Sequence, residues 1–366
     1  DDMDVRPGDT VMDPFMGSGT TALVCQMRGI NSVGYDIMPL SGIAINAKVN
    51  VMQYDIEEIK RMSDEFRSLV LPKEYLGKTP YITITDTAYP EQNEKYIQYA
   101  KDWILESDYS DESKNLFTLC MINSLERCSY TSKSGQYLSW DSRSKKVFNA
   151  NIARKKAGRK LLPKHYCREV IESIKEAVQE ELEHVLSDIR VIQTNGCMES
   201  PASINFKQGS ALFELPQVEP DSLKGVITSP PYCNRYDYTR TYALELVFLG
   251  LGEEAIKEMR QALLSCTVEN KSKMEVLREH YEVIGALDRF HYIYDTIKSN
   301  DAFQEINIAM EKRKANGDLN NIGVLRMIEG YFTELAFIYA ELYRVCKKGA
   351  FVAFVNDNVR YGGEVI

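Results

Sequence analysis

The sequence predicts an α/β protein with a doubly wound, mostly parallel sheet, interrupted by two largely helical insertions. Three observations carry that reading. Residues 9–36 run strand, glycine turn, helix, strand, which is half of a βαβ unit. Short apolar runs at 204–206, 223–228 and 351–355 read as further strands. Between them lie two long stretches whose apolar residues recur every three or four positions, the period of a helix.

The elements follow in order. Residues 9–15 form a short strand closed by Pro14, 16–21 a turn, 22–28 a helix stopping at Gly29, and 32–36 a second strand ending in Asp36. Residues 1–52 are therefore assigned to the first half of the core. Residues 53–200 form the first insertion, where Ile56, Ile59, Met62, Phe66 and Leu69 keep helical spacing, as do Ile171, Ile174, Val178, Leu182, Val185 and Ile189. Strand character returns in 201–241, and 242–323 is the second helical insertion. In 324–366 a helix is marked by Val324, Ile328, Phe332, Leu335, Ile338, Leu342 and Val345, with Lys347-Lys348-Gly349 as its stop. The run 351–355 is expected to be a buried strand.

Composition bounds the function. The 366 residues are 44% hydrophobic and 27% charged, which excludes collagen-like, disordered and low-complexity classes. No run approaches ~18 apolar residues, so no membrane span or membrane partner is expected. The formal charge of −9 argues against nucleic acid, but one segment departs from it. Residues 133–168 hold eleven Lys and Arg and one acid, Asp141, about +10, which leaves about −19 on the rest. None of the eight cysteines forms a CxxC pair and the four histidines do not cluster with them, so no zinc spacing exists. A chain this long needs no disulfide staples, and the thiols read as reduced and cytoplasmic.

Two turns carry chemistry. Gly17-Ser18-Gly19 follows a strand and opens a helix, where glycines let a ligand approach the backbone and the helix start offers free N–H groups. No Lys follows Gly19, so it is not a phosphate-binding P-loop. A nicotinamide or flavin site, a methyl-donor site and a plain tight turn all remain; Asp36, placed to accept from ribose hydroxyls, disfavours the last. Thr228-Ser229-Pro230-Pro231-Tyr232 follows another strand. Its prolines remove backbone donors and stiffen the chain, leaving the Ser229 and Pro230 carbonyls as acceptors beside an aromatic plate. Such a turn suits an exocyclic amine on a planar base; a Pro-Pro turn or a polyproline ligand is the plainer reading.

Together, Asp13-Pro14-Phe15-Met16-Gly17-Ser18-Gly19-Thr20-Thr21 and Thr228-Ser229-Pro230-Pro231-Tyr232 closely resemble the two signatures of the amino-methylating DNA methyltransferases. Gly34-Tyr35-Asp36 resembles the family's ribose-binding acid, Gln208-Gly209-Ser210-Ala211 its adenine-contacting loop, and 343–349 the turn before its fifth strand. The resemblance covers roughly residues 8–50, 204–245 and 325–366. It implies a Rossmann-like methyltransferase fold, S-adenosylmethionine as donor, S-adenosylhomocysteine as product, and double-stranded DNA as substrate. It further implies base flipping, with N4 of cytosine as acceptor and N6 of adenine as the alternative, because Ser at the head of the second turn leans toward cytosine. The implied cofactor residues are Asp13, Pro14, Phe15, Gly17, Ser18, Gly19, Thr20, Asp36 and Ser210, the last standing where the family often has Asp. The implied catalytic residues are Ser229, Pro230, Pro231 and Tyr232. The family's sheet has a covering element before its first strand and a hairpin after its fifth, so this sheet is expected to be incomplete at both ends. A place in a restriction or phage-defence system, as a subunit or fused domain, is the family-level expectation.

Beside a DNA enzyme, the basic segment reads as a phosphate-contacting surface interleaved with aromatics. The candidates are Lys133, Tyr137, Trp140, Arg143, Lys145, Lys146, Arg154, Lys155, Lys156, Arg159 and Lys160, with Arg235 and Arg240 following the second turn. Two other functions compete. A methyltransferase fold that binds DNA without turnover would lack methyl-donor binding. A nicotinamide-dependent oxidoreductase rests only on the glycine turn and leaves Ser229–Tyr232 unexplained.

Overall fold

The computed structural model describes residues 4–135, 137–196 and 202–366. Five strands, β1 (Thr10–Asp13), β2 (Asn31–Asp36), β5 (Ile204–Gln208), β6 (Leu223–Thr228) and β7 (Cys346–Phe354), form one sheet in the order β5-β2-β1-β6-β7. All four pairings are parallel, and each needs a crossover; α1 (Thr20–Met27) supplies the one between β1 and β2. A separate hairpin, β3 (Thr131–Ser134) with β4 (Tyr137–Trp140), interrupts the chain order. The sheet grows from β1 to β2 and β5, then restarts at β6 on the other side of β1. That reversal falls at the C-terminal ends of β1 and β6, the place where ligands of such sheets bind.

The chain divides into two compact units. The first comprises Asp1–Gly42, Met198–Asp237 and Lys257–Ile366, and contains the sheet. Its helices are α1, the start of α2 (Pro39–Val49), α8 (Ala211–Glu214), most of α11 (Glu253–Ala262), α12 (Met274–Val283), α13 (Leu287–Lys298), α14 (Asp301–Ala315) and α15 (Gly323–Val345). Met12 and Val226 of the sheet share one apolar core with Tyr281 of α12, Phe290 of α13, Met310 of α14 and the inner face of α15. The second unit comprises Ile43–Cys197 and Tyr238–Ile256. It holds α3 (Ile56–Ser68), α4 (Glu91–Glu106), α5 (Asp111–Leu125), α6 (Lys145–Lys156), α7 (Ile174–Asn195), α9 (Tyr238–Thr241) and α10 (Ala243–Phe248). Asp55 caps α3 through the N–H groups of Glu57 and Glu58, and Phe66 packs against Tyr96, Trp103 and Phe117.

Three sequence expectations meet a different arrangement. The stretch 242–323 does not stand apart. Residues 257–323 complete the sheet's core, while α10 buries Ala243, Leu244, Leu246 and Val247 in the second unit. Helical periodicity marks a buried stripe but not what buries it. Lys347-Lys348-Gly349 does not cap a helix: α15 ends at Val345 and these residues already belong to β7, opposite a register shift between Leu223 and Gly225. The strand at 351–355 is not buried. β7 is an edge strand, with Phe351 54% and Val352 41% exposed, while its last residue, Phe354, packs against Tyr339 of α15. A small hairpin, β8 (Arg360–Tyr361) with β9 (Glu364–Val365), follows β7 outside the sheet.

Candidate active site and nucleic-acid interface

The loop after β1 is built around Asp13. This buried carboxylate accepts from the Thr21 hydroxyl on Oδ2 (2.7 Å), and from the Thr228 hydroxyl (2.6 Å) and the Phe15 N–H (3.1 Å) on Oδ1. It thereby ties the start of α1 and the end of β6 to the loop itself. Burial pushes the Asp13 carboxyl above the ordinary carboxylate range, and the three hydrogen bonds act against that shift. Pro14 is buried, Phe15 half-buried, and Ser18 and Thr20 exposed. The loop crosses directly over Gly34 of β2, where a Cβ would stand 2.3 Å from the Asp13 carbonyl oxygen and 2.6 Å from the Met16 methyl. Glycine at 34 is thus required by close approach.

Gly17 and Gly19 both adopt left-handed backbone, at φ +52° and +80°. A Cβ on Gly17 would meet nothing closer than the Phe15 carbonyl oxygen at 4.0 Å, so open space lies above it. No side chain caps α1, whose first N–H groups are therefore left to a ligand. Asp36 stands at the end of β2 and accepts from the N–H groups of Gly17 and Met38, both at 2.8 Å. Burial pushes its carboxyl up, with those bonds and one from Ser41 acting against it. An open glycine cradle, uncapped N–H groups and an acid without a cation partner fit a ligand that bears hydroxyl donors. Ser210 precedes α8 and its hydroxyl makes no capping bond.

The second turn leaves β6 next to this loop, since β1 and β6 pair through Val11 with Gly225 and Met12 with Val226. Thr228 anchors its start through Asp13 and through its carbonyl, which accepts from the Val355 N–H. Pro230 is buried, Pro231 and Tyr232 are half-buried, and Ser229 is exposed. The Ser229 and Tyr232 hydroxyls lie 3.1 Å apart. Among the described residues, no donor reaches the carbonyl oxygens of Ser229 or Pro230, and no ring packs on Tyr232. The turn is held from behind, where the Tyr361 hydroxyl donates to the Cys233 carbonyl at 2.7 Å.

Comparison with known proteins places the chain among DNA methyltransferases. A family model described as DNA methylase matches residues 2–40. The Type II methyltransferase M.BsoBI of Geobacillus stearothermophilus is 45% identical over 359 residues, 98% of this chain and 70% of the relative. The chain belongs to the amino-methylating DNA methyltransferases. The Type II methyltransferase M.AvaI of Nostoc sp. is 36% identical over 363 residues, 97% of this chain and 69% of its own. M.MjaII of Methanocaldococcus jannaschii, also a Type II methyltransferase, is 36% identical over 121 residues, 31% of this chain and 22% of its own. No solved structure matches. The family implies S-adenosylmethionine as methyl donor and DNA as substrate.

In this methyltransferase the basic segment is not uniformly available to DNA. Lys133 pairs with buried Glu245 at 2.6 Å and lies 4.4 Å from the Tyr242 ring centre. Arg143 is clamped by buried Asp141 at 2.7 Å and donates to the carbonyls of Arg168 and Glu169. Lys146 sits 4.3 Å over the Trp140 ring and donates to the Thr83 carbonyl. These four candidates build the second unit. Lys145 is exposed and feels the charge of Glu91 and Glu94; Arg154 donates to the Lys160 carbonyl at 2.6 Å. Lys155, Lys156, Arg159 and Lys160 are exposed and form no ion pair among the described residues. Tyr137 opens β4, and its side chain lies outside the described residues. Arg235 belongs to the first unit and reaches Asn320 at 3.2 Å, whereas Arg240 belongs to the second.

Sequence reasoning assigned no role to Thr21 or Thr228. Both were within quoted motifs. The available signal was that a buried Asp without a cation needs hydroxyl or N–H donors, and each motif supplies a Thr.

Proposed function

We propose that this methyltransferase transfers a methyl group from S-adenosylmethionine to N4 of a cytosine flipped out of double-stranded DNA. The observation that carries the reading is the pair of unengaged carbonyls at Ser229 and Pro230, beside two hydroxyls and an uncovered aromatic ring. The amine of cytosine is a weak nucleophile because its lone pair is delocalised into the ring. Hydrogen bonds from that amine to the Ser229 and Pro230 carbonyls draw the lone pair out of conjugation. The rigid Pro230-Pro231 pair fixes both acceptors, so their alignment costs no reorganisation during reaction. Tyr232 stacks on the flipped base, which must leave the duplex to reach the turn.

The donor, when bound, would supply an electrophilic methyl on a sulfonium, so catalysis is largely positioning. Gly17, Ser18, Gly19 and the Thr20 N–H line its side of the site, and Asp36 accepts from its ribose hydroxyls. Phe15, Pro14 and Ser210 border the same space, and Asp13 holds the loop in shape. The relatives' names, Type II methyltransferase, support a role as the modification member of a Type II restriction–modification system. No helix among the described residues is long and apolar enough to cross a membrane.

Single-molecule sequencing of DNA from cells producing the protein tests base and site together. N4-methylcytosine at one recurring sequence is expected. N6-methyladenine there would replace the acceptor with the adenine amine, and an unmodified genome would leave a DNA-binding module.

A further inference from the structure

Helix α6 is built unlike the other long helices of its unit. Only Val147 of its twelve residues is buried. Phe148 is 62% and Ile152 41% exposed, and at a spacing of four they share one face. The chain then doubles back along the helix. The Leu162 N–H donates to Asn151 Oδ1 at 2.8 Å, and Leu161 and Leu162 are 49% and 38% exposed. Four large apolar side chains are thus presented within fifteen residues, on an element that packing does not hold. The Ser144 hydroxyl, which caps α6 through the Val147 N–H, and the Asn151 bond to the returning chain fix it instead.

Charge identifies what covers this face. No acid occurs between Asp141 and Glu169, whereas a solvated helix face ordinarily mixes both signs. Lys155, Lys156, Arg159 and Lys160 flank the apolar residues and are unpaired among the described residues. Cations at a helix C-terminus favour its dipole, which accounts for Lys155 and Lys156 but not for Arg159, Lys160 or the exposed Phe148. A polyanion whose charged rails flank a groove bearing thymine methyl groups matches both features, and a helix fits its major groove.

We infer that α6 and residues 157–162 form a DNA-docking arm in which Phe148 and Ile152 read base edges while Lys155, Lys156, Arg159 and Lys160 grip phosphates. The inference rests on the DNA methyltransferase reading and adds a division of labour to it. The apolar pair supplies sequence discrimination, and the cations supply affinity that is independent of sequence and sensitive to salt.

The test compares two variants of the full chain by fluorescence anisotropy. The probes are a duplex containing the modified sequence found by sequencing and a scrambled duplex of equal length, each over a series of salt concentrations. Lys155→Ala/Lys156→Ala/Arg159→Ala/Lys160→Ala is expected to weaken binding to both duplexes alike. It should also flatten the slope of log affinity against log salt by about 3 to 4, since each phosphate contact contributes about 0.9. Phe148→Ala/Ile152→Ala is expected to lose about tenfold or more on the modified sequence, with little loss on the scrambled one and an unchanged slope. An unchanged slope in the first variant overturns the phosphate grip. Equal loss on both duplexes in the second overturns the base reading. If the second variant leaves DNA affinity intact but converts a dimer to a monomer in sedimentation, the face belongs to a second copy of the chain. Nucleoside analysis of wild-type product, independent of the arm, separates these outcomes from failure of the methyltransferase reading.

Discussion

Thr228 and Asp13 are 215 positions apart and meet at 2.6 Å, so one hydroxyl joins the donor-side loop to the acceptor-side turn. Thr228→Val keeps the shape and removes that bond, leaving Asp13 Oδ1 with the Phe15 N–H alone. A buried acceptor stripped of a partner costs about 1–3 kcal/mol. The thermal midpoint should fall, kcat should fall more than donor affinity, and Thr228→Ser should restore most of both. An unchanged kcat would make the bond incidental to the reaction. Asp36 makes a second residue-scale prediction. Burial raises its folded pKa above the unfolded value, so the folded chain holds the proton more tightly, and acid relieves this site's folding cost. Donor binding to the ionised carboxylate runs the other way: it should weaken as pH falls below neutral, at a higher pH than an ordinary carboxylate would dictate. Calorimetry with S-adenosylmethionine should find that slope in the wild type and a flat, weaker profile in Asp36→Asn. Parallel slopes would remove Asp36 from the donor site. The positions of Asp36 at the end of β2 and of Ser229 just after β6 were readable from sequence because each stands beside a turn of special composition. The Asp13–Thr228 bond was not, because nothing local to either residue specifies so distant a partner.

At the scale of elements, β1, α1 and β2 were legible because strand, glycine turn and helix follow one another within thirty residues. What fixes their approach is Gly34. Gly34→Ala would place a methyl 2.3 Å from the backbone oxygen of Asp13, which cannot yield without moving the loop. It should abolish donor binding and lower the thermal midpoint sharply. Gly285→Ala is the control: its φ of +70° is strained for alanine, but no atom lies within 4 Å, so about 1 kcal/mol is expected and donor binding should persist. Equal effects would mean that a small shift of the loop relieves the close approach, which then does not by itself select glycine at 34. The α15 stripe was also read correctly from its period. Its end was not, because Lys347-Lys348-Gly349 satisfies a helix-stop pattern and an irregular strand start equally well.

Across the whole molecule, charge and fold are divided unequally. The −9 total combines a segment of about +10 with a remainder of about −19, and internal pairing of Lys133 and Arg143 concentrates the unpaired cations on α6 and the chain just after it. On the proposed docking reading, that asymmetry would direct a polyanion to this segment of the second unit. Membership of the two units was the least legible feature. The helices of 257–323 and of 53–195 share the same period, and only tertiary contact distinguishes a helix that finishes the sheet's core from one in a separate body. The central claim concerns the first unit, where unengaged acceptors at Ser229 and Pro230 await an exocyclic amine. Mass spectrometry of nucleosides from DNA incubated with the purified protein and S-adenosylmethionine tests it most directly. N4-methylcytosine, lost in Tyr232→Ala with donor affinity largely retained, is the expected result; 5-methylcytosine as the sole product would contradict it.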